Sequence, residues 1–387
     1  MSTELVTMNI GPIHPSTHGV FRMRVTFDGE TIIDAEPIIG YLHRGSEKLA
    51  EERTYTQIVT LTDRMDYTAS MTNNQAYILS VEKLSGIKPA ERGVWLRMIA
   101  AELQRVAAHS VAIGFLINDL GAWHTPLLYL LREREKILEL FEMMCGARIT
   151  NSYLRPGGVF MDAPDEFWPA LNRFLDEMPE RLNDIENLLT DNEIIIARTQ
   201  NVAVLDKDDA INASITGPML RASGVDWDLR HRNPYDFYDK VSFRRPLGTV
   251  GDNNDRYLVR LHEIRESLKI IEQCLDLIEP GPIKPEEVPF LVRPPEGDSY
   301  VPIEAPKGEL GFYLVSDGGI SPFRCHVRAP SLMNLTLLRD MVIGYKIADL
   351  FVTFGSVDVN MGEVDSCLLY TSPSPRDATL SRMPSSA

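Results

Sequence analysis

Five long segments of this chain repeat apolar residues every three or four positions, which is the spacing of one face of an α-helix. They lie near 69–84, 90–120, 125–145, 164–189 and 255–278. Helices of this length need a large apolar surface to pack against, and a chain of 387 residues with 44% hydrophobic content can supply one. The pattern therefore predicts a globular protein built around a central bundle of helices.

Strand-like patterns lie on both sides of this helical centre. Near the N-terminus, apolar side chains alternate over 21–27, and a turn signal at 28–30 predicts an antiparallel hairpin. Near the C-terminus, 310–315 and 323–328 predict a second hairpin, and a last helix is predicted over 335–351. The predicted class is α+β, with an N-terminal antiparallel β-sheet, a central helical bundle, and C-terminal strands with a helix.

Composition divides the chain into parts. A Pro-rich stretch follows the last long helix, and the final residues lose all periodicity and become rich in serine and proline, so they cannot continue a packed core. We expect this tail to be disordered or foreign to the natural protein, and its deletion to leave folding intact. The predicted parts are an N-terminal β-rich region with a site loop (1–67), a helical core (68–280), a Pro-rich linker (281–302), a C-terminal α+β region (303–365) and the tail (366–387).

Charge and apolar content exclude several function classes. The net charge of -16 argues against broad binding to nucleic acid. No apolar stretch approaches the ~20 residues of a membrane helix, and the first residues lack the pattern of a signal peptide, so we expect a soluble or peripheral protein. The four cysteines stand far apart, without the spacing of a zinc or iron–sulfur site. We therefore predict that this chain binds no metal.

A loop with two histidines, His14 and His18, lies between the first strand-like segments. Pro12 and Pro15 restrict the backbone while glycines on either side permit unusual conformations, so the loop is predicted to have a defined shape. Histidine supplies proton chemistry near neutral pH. From the residues alone, a structural role with one histidine bonded to the backbone and a functional role are both open.

Several longer motifs occur in one order over nearly the whole chain up to Asp365, and together they resemble the D subunit of respiratory complex I, NADH:quinone oxidoreductase. Each motif is too long to be a chance match. The segments that carry the resemblance are GPIHPSTHG at 11–19, GYLHRG at 40–45, DRMDY at 63–67, YLRPGGV at 153–159, EAPKGE at 304–309, RAPSLMNL at 328–335 and GSVDVNMGEVD at 355–365.

The resemblance implies a cavity in which a quinone headgroup is reduced, and it implies roles for individual residues. His18 and Tyr67 match the positions that hydrogen-bond the two quinone carbonyl oxygens, Met65 also contacts the quinone, and Asp119 is the partner of His18. Reduction to a quinol takes two electrons and two protons, so donors are needed at both oxygens. A carboxylate behind the imidazole would hold its tautomer. These four residues are the candidate site.

The resemblance also implies an assembly. The chain would be a peripheral subunit on the cytoplasmic side of the inner membrane, next to the small B subunit that carries a 4Fe–4S cluster, with the C subunit, the ferredoxin-like I subunit and the membrane-embedded H subunit as further partners. Quinone is the substrate, NAD is used only by the whole complex, and this chain holds no cofactor. Arg44, Arg64 and Arg155 are expected near the partner's cluster, where positive charge stabilises the reduced state, although structural salt bridges are an equal alternative.

Other interpretations stay open at this point. Without the resemblance, Tyr67 is more simply a helix-start aromatic residue with a solvated hydroxyl. His109 is favoured as a core histidine, and Lys307 as part of a turn. The family shares its fold and ancestry with nickel–iron hydrogenase large subunits, yet the two regions that would carry their cysteine pairs contain no cysteine, so such a metal centre is disfavoured. A related complex with a different electron donor and a purely structural subunit are the remaining alternatives.

Two departures from the family pattern stand out. The chain is shorter than many members between Pro282 and Val301, where a helical insertion is often found. The family usually ends with an arginine just after the Glu-Val-Asp at 363–365, whereas this chain runs on into the unrelated tail.

Overall fold

The computed structural model describes residues 5–122 and 125–368, and it confirms the predicted α+β architecture. An antiparallel sheet forms the N-terminal region, with strand order β1-β2-β3. Its strands are β1 (Leu5–Ile10), β2 (Arg22–Asp28) and β3 (Thr31–Ile38). The predicted hairpin over 21–33 corresponds to β2 and β3, and the two-residue connection at 29–30 contains Gly29 in a left-handed conformation.

The central helices agree with the predicted segments to within about three residues at each end. The longest helix ends at Asp119, ahead of Gly121, which has a φ of 89°. The helices of this region are α1 (Ser46–Glu51), α2 (Tyr55–Thr62), α3 (Ser70–Ser85), α4 (Glu91–Asp119), α5 (Thr125–Cys145), α6 (Phe167–Leu189), α7 (Glu193–Thr199), α8 (Lys207–Asn212), α9 (Gly217–Ala222), α10 (Leu229–Arg232) and α11 (Asn253–Leu277). A two-stranded ribbon, β4 (Leu154–Arg155) with β5 (Gly158–Val159), lies between α5 and α6.

The C-terminal strands form a second antiparallel sheet, with order β6-β7-β8. They are β6 (Gly297–Ala305), β7 (Gly308–Ser316) and β8 (Arg324–Arg328). The first strand begins inside the segment predicted as a linker over 281–302. Proline made this stretch resemble a linker, but Pro302 lies on an edge strand, where a missing amide donor is tolerated.

The prediction of one last helix over 335–351 is wrong. The chain forms short helices instead, namely α12 (Pro330–Leu335), α13 (Leu338–Val342), α14 (Ile347–Val357) and α15 (Met361–Val364). The break before α14 occurs where the chain pairs with β3. The Ile32 amide donates to the Tyr345 carbonyl at 2.9 Å, and the Gly344 amide donates to the Ile32 carbonyl at 2.8 Å. Those main-chain bonds replace helical ones.

The start of the predicted tail is also part of the fold. Ser366 and Cys367 are buried, and the Ser366 hydroxyl donates to the Gly362 carbonyl at 2.5 Å. The rest of the tail, 369–387, lies outside the described residues.

The buried apolar residues form two clusters. The larger one is formed mainly by the helices from α2 through α6, together with α11 and the C-terminal sheet. The smaller one joins the N-terminal sheet to α8, α9 and the C-terminal helices. Helix α4 packs against α5, α11 and α14. Its C-terminal half therefore faces the N-terminal loop at 11–20, and the candidate site lies at this junction.

Candidate functional site

A cavity of about 580 Å³ opens beside the histidine loop. Its walls come from the loop between β1 and β2, the turn before α3, the C-terminal half of α4, the β6–β7 turn and the chain around α14 and α15. The residues that line it are Pro12, Ile13, His14, Pro15, His18, Gly19, Val20, Tyr67, Thr68, Val111, Ala112, Phe115, Lys307, Gly355, Asp358, Val359 and Asn360. Seven of these residues have polar side chains, and they are the candidates for directed contacts with a ligand.

The histidine loop has a defined shape, as its prolines and glycines predict. Residues Pro15–Thr17 form one turn of 3₁₀ helix. The Thr17 hydroxyl donates to the carbonyl of His14 at 2.7 Å and lies 2.9 Å from that of Gly19. His18 follows in a left-handed conformation with a φ of 50°. The left-handed conformation turns the chain at His18, and the His18 side chain lies in the wall of the cavity.

His18 and Asp119 are in contact in the structure. Nε2 of His18 lies 2.7 Å from Oδ2 of Asp119, and their side chains are only 13% and 3% exposed. Asp119 is the last residue of α4, where the helix dipole disfavours a negative charge. Burial raises the pKa of Asp119, and the contact with His18 and the charge of His14 offset that effect only in part. The carboxylate thus depends on His18 for compensation.

Aromatic rings and a close helix surround this pair. The His18 ring lies 5.2 Å from that of Phe115 and 5.8 Å from that of Phe354. Helix α14 approaches so closely that a Cβ on Gly355 would lie 2.8 Å from Oδ2 of Asp119. The pair therefore lies in a confined, largely apolar pocket, where a change of charge on either partner has a large electrostatic effect.

Tyr67 reaches the same cavity from the turn before α3. Its side chain is 41% exposed. A Cβ built on Gly19 would lie 4.0 Å from the Tyr67 hydroxyl, which places that oxygen beside the residue that follows His18. Burial and the carboxylates of Asp66 and Asp358 raise the pKa of Tyr67, while the Lys307 ammonium acts in the opposite direction. The phenol is therefore protonated at neutral pH and available as a donor.

The second histidine of the loop has a different environment. Nδ1 of His14 accepts a hydrogen bond from the Ser16 amide at 3.2 Å, which caps the 3₁₀ turn. The ring of His14 stacks on that of Phe351, 5.6 Å away. His14 thus has the structural role that was one of the alternatives for this pair, although it also lines the cavity.

Met65 and the three arginines lie outside the cavity wall. Met65 is fully buried in the larger apolar cluster. Arg44 donates to the carbonyl of Arg64, just after α2, and Arg64 donates to that of Thr60, in the last turn of α2, at 2.5 Å. Arg155 donates to the Ser152 carbonyl at 2.5 Å. Arg44 and Arg64 are thus in direct contact in the structure.

Arg155 is connected to the same region. The Ser152 amide donates to Oδ1 of Asp63 at 3.2 Å, one residue before Arg64. Burial lowers the pKa of Arg155, against the attraction of Asp63. Its guanidinium lies 5.3 Å from the ring centre of Phe160, an aromatic side chain that is 59% exposed. An arginine and an exposed aromatic ring here suit a protein interface.

Sequence reasoning missed one group of cavity residues. Lys307, interpreted as part of a turn, is indeed in the β6–β7 turn, but its side chain is buried against the cavity wall. Its ammonium contacts Asp66 and Thr68, the neighbours of Tyr67. The sequence offered one signal, because the EAPKGE and DRMDY segments both carried the family resemblance. Nothing in their spacing indicated that they meet.

A family model described as respiratory-chain NADH dehydrogenase, 49 Kd subunit, matches residues 119–292 and 288–366. The chain belongs to this family. The NADH-quinone oxidoreductase D subunit of Dehalococcoides mccartyi is 54% identical over 365 residues, which are 94% of this chain and 99% of the relative. The D 1 subunit of the enzyme from Roseiflexus sp. is 51% identical over 372 residues, 94% and 100% of the two chains. The D subunit of Desulforamulus reducens is 48% identical over 366 residues, 95% and 100%.

These relatives confirm the predicted family and its class of activity. The chain is a subunit of an NADH:quinone oxidoreductase complex, respiratory complex I. The alternative of a hydrogenase large subunit is therefore wrong. No helix within residues 5–122 or 125–368 combines the length and apolar character needed to cross a bilayer. In the same part of the chain, no three histidine, cysteine, aspartate or glutamate side chains are grouped to hold a metal ion.

Proposed function

We propose that the cavity binds the headgroup of the quinone that the complex reduces. In this proposal His18 and Tyr67 donate hydrogen bonds to the two carbonyl oxygens, and Asp119 orients His18. The observation that carries the proposal is that the His18–Asp119 pair and the Tyr67 hydroxyl meet at one cavity, with Gly19 between them. Met65 lies behind this wall, and a contact between Met65 and the quinone stays a prediction.

The size and walls of the cavity suit such a ligand. Its volume of about 580 Å³ lies in the range of small-molecule sites. Val20, Val111 and Phe115 supply apolar contact for a flat ring, and the polar groups lie at defined points of the wall. An apolar pocket with two donors binds an uncharged quinone and distinguishes it by its carbonyl oxygens.

The residue types fit the chemistry. A quinone that accepts two electrons and two protons becomes a quinol, with one new O–H bond at each former carbonyl oxygen. An imidazolium at position 18 and the phenol of Tyr67 can each supply one of these protons, and in doing so both lower the free energy of the negative charge that forms as electrons arrive. The electrons come from the 4Fe–4S cluster of the small B subunit in this proposal.

Asp119 gives the site a response to reduction. While His18 is protonated, its charge holds the buried carboxylate at 2.7 Å. Once His18 has given its proton to the quinone, that attraction is lost, and a carboxylate whose pKa burial already raises is left without compensation. The pair then separates or takes up a proton. Quinone reduction is thereby coupled to a local rearrangement at the end of α4.

The assembly follows from the same proposal. The small, cluster-bearing B subunit contacts the surface that carries Arg44, Arg64 and Arg155, where their positive charges stabilise the reduced cluster. The C, I and H subunits complete the surroundings, and the quinone enters from the membrane side. The chain then lies peripherally on the cytoplasmic side of the inner membrane, and NAD reacts only with other subunits of the complex.

Replacement of Tyr67 by phenylalanine tests the site. In the assembled complex, we compare electron flow from NADH to a short-chain quinone with flow from NADH to ferricyanide, which bypasses the cavity. We expect quinone reduction to fall tenfold or more, equivalent to about 1.4 kcal/mol or more of transition-state stabilisation, while the ferricyanide rate holds. Ferricyanide reduction in the same preparation is the control for assembly.

Unchanged quinone reduction in the Tyr67→Phe complex would contradict the proposal and assign Tyr67 a structural role. If both rates collapse, assembly has failed, and His18→Gln then tests the same cavity from its other side. The same selective loss is expected for that variant.

A further inference from the structure

A buried lysine stands behind the proposed quinone donor Tyr67. The side chain of Lys307 is only 3% exposed, and its ammonium lies 2.9 Å from Oδ2 of Asp66, 2.8 Å from the Thr68 hydroxyl and 3.8 Å from Oδ2 of Asp358. Asp66 and Thr68 flank Tyr67 in the chain. A single cation therefore contacts the residues on both sides of the proposed proton donor.

Asp66 holds the 66–68 turn in place through further hydrogen bonds. Its Oδ1 accepts hydrogen bonds from the Thr68 amide at 3.0 Å, the Thr68 hydroxyl at 2.6 Å and the Asn360 amide group at 2.8 Å. The Gln104 side chain donates to the Thr68 carbonyl at 2.7 Å. The 66–68 turn is thus held on three sides, and the direction of Tyr67 follows from it.

The cluster keeps Lys307 charged. Burial by itself lowers the pKa of an ammonium group, but the carboxylates of Asp358, Asp66 and Glu363 outweigh that effect, and the pKa of Lys307 is raised. The ammonium therefore stays charged near neutral pH, and its charge acts on the neighbouring Tyr67 hydroxyl.

We propose that Lys307 is a positioning residue for quinone reduction, acting through Tyr67. It fixes the 66–68 turn through Asp66 and Thr68, and its charge stabilises the anion that forms on the Tyr67 oxygen. In this step the O–H bond of Tyr67 breaks, a new O–H bond forms on the reduced quinone oxygen, and the negative charge passes to Tyr67. The electrons come from the complex. This inference rests on the proposed function.

A purely structural role would not require a lysine at this place. Buried ion pairs contribute little net stability compared with apolar side chains of similar volume, because desolvation offsets their attraction. Lys307 nevertheless lines the cavity together with Thr68 and Asp358. The carboxylates of Asp66 and Asp358 disfavour negative charge on Tyr67, and the Lys307 ammonium between them offsets that effect, which lowers the barrier for a reaction in which Tyr67 becomes an anion.

The test is a double-mutant cycle in the assembled complex, with Lys307→Met, Tyr67→Phe and the double variant. NADH is the donor, and the acceptor is decylubiquinone or a short-chain menaquinone, whichever the wild-type complex reduces faster. Ferricyanide reduction reports assembly. We expect Lys307→Met to lower kcat for quinone at least tenfold with KM within twofold of wild type, because the charge acts on the anion and not on the bound quinone.

Two further results are expected. In the Tyr67→Phe background, Lys307→Met should lower kcat for quinone by less than a further twofold, since the Tyr67 anion that Lys307 stabilises no longer forms. Lys307→Arg, which keeps the charge, should recover kcat to within about threefold of wild type. The control is Lys346→Met, which removes an ammonium that is 67% exposed and paired with Glu30, and it should leave both rates unchanged.

Multiplicative losses in the double variant, or an arginine variant as poor as the methionine variant, would overturn the inference while leaving the quinone site intact. A Tyr67→Phe complex with a normal quinone rate would instead contradict the proposed function itself. If Lys307→Met does not assemble, Thr68→Val decides. This variant breaks the contact to the turn without removing a charge, and a quinone rate within twofold of wild type would also overturn the inference.

Discussion

At the scale of single residues, Glu363 shows how burial near the cavity changes acid–base behaviour. Its side chain is 1% exposed, and it accepts a hydrogen bond from the Ser331 amide at 3.1 Å. Burial and the negative charge of Asp66 raise the pKa of Glu363 to about 7, even though Ser331 and Lys307 act in the opposite direction. Near neutral pH this carboxyl group is therefore only partly ionised.

This raised pKa predicts a pH-dependent contribution to stability. Below pH 4.5 the carboxyl is protonated in both the folded and the unfolded protein, and its contribution is fully present. As the pH rises through 7, the folded protein holds a proton that the unfolded chain releases, so stability is lost. Glu363→Gln keeps the neutral form at every pH. Its free energy of unfolding relative to wild type should rise from pH 4.5 to 7 and level off about 3 kcal/mol higher.

Thermal or urea unfolding at pH 5 and pH 8 measures this difference. The matched control is Glu286→Gln, at an exposed position of the chain, which should track wild type at both values. A Glu363→Gln variant with the same stability difference at pH 5 and pH 8 would show that Glu363 titrates normally in the folded protein.

The two loop histidines show what the residues of the loop alone could not predict, namely which of them has the proposed functional role. His14 and His18 belong to one motif, and their spacing does not distinguish them. The structure does, because the amide of Ser16 binds His14 while Asp119, far away in the chain, reaches His18. The residues of the loop predicted its shape, since proline and glycine act locally. The partner of His14 is local, whereas the partner of His18 depends on which helix end packs beside the loop.

At the scale of elements, α14 completes the site by its closeness to α4. Gly355 lies where the helix passes the His18–Asp119 pair, and a Cβ there would be 2.8 Å from Oδ2 of Asp119 and 3.4 Å from Cε1 of His18. Only a residue without a side chain lets the two helices approach this far. The geometry of the pair is therefore a property of helix packing as much as of the two residues.

Gly355→Ala should consequently impair quinone reduction. The added methyl group displaces the Asp119 carboxylate from His18, so we expect at least a threefold loss of the NADH:quinone rate in the assembled complex, with the ferricyanide rate preserved. Gly281→Ala is the control, because a Cβ at Gly281 would have no atom within 4 Å. Wild-type quinone reduction in Gly355→Ala would mean that the pair tolerates displacement and that α14 does not position it.

The C-terminal helices illustrate the limit of pattern reasoning for elements. Apolar spacing over 335–351 predicted one helix, and the local preference is real, since α13 and α14 form within or next to that span. Main-chain pairing with β3 interrupts it at Gly344 and Tyr345. The long helices α3 to α6 and α11 were predicted correctly because their apolar residues recur every three or four positions, which is visible in the sequence itself, although α3 and α4 prove to be buried on nearly every side.

At the scale of the whole molecule, a buried ionic network joins the helical core to the C-terminal sheet. Arg221 on α9 is fully buried, 2.7 Å from Glu263 of α11 and 2.7 Å from Glu304 of β6. Glu263 also contacts His109 of α4 at 2.8 Å. His109 is thus a core histidine paired with Glu263, and the apolar residues around it in the sequence had favoured a core position. Four elements far apart in the chain meet at this network.

Loss of Arg221 should therefore destabilise the entire fold. Arg221→Met leaves Glu263 and Glu304 buried without their main counter-charge, and removing one partner of such a pair typically costs about 3–5 kcal/mol in the free energy of unfolding. Denaturant unfolding of the purified protein measures it. Arg339→Met, at an exposed pair with Asp34, should leave the unfolding midpoint unchanged. Equal midpoints for the two variants would show that the network carries no net stability.

The sequence by itself determined the elements with a local cause and, through its motifs, the family. Helix periodicity, turn residues and the shape of the histidine loop depend on neighbours within a few positions. The motifs implied that Asp119 is the partner of His18, but tertiary structure alone decided how deeply this pair is buried, that Lys307 contacts the residues on both sides of Tyr67, and that the last predicted helix breaks at β3. Such contacts join segments far apart in the chain. Their energy depends on burial and on the close approach of whole elements, which spacing along a sequence does not contain.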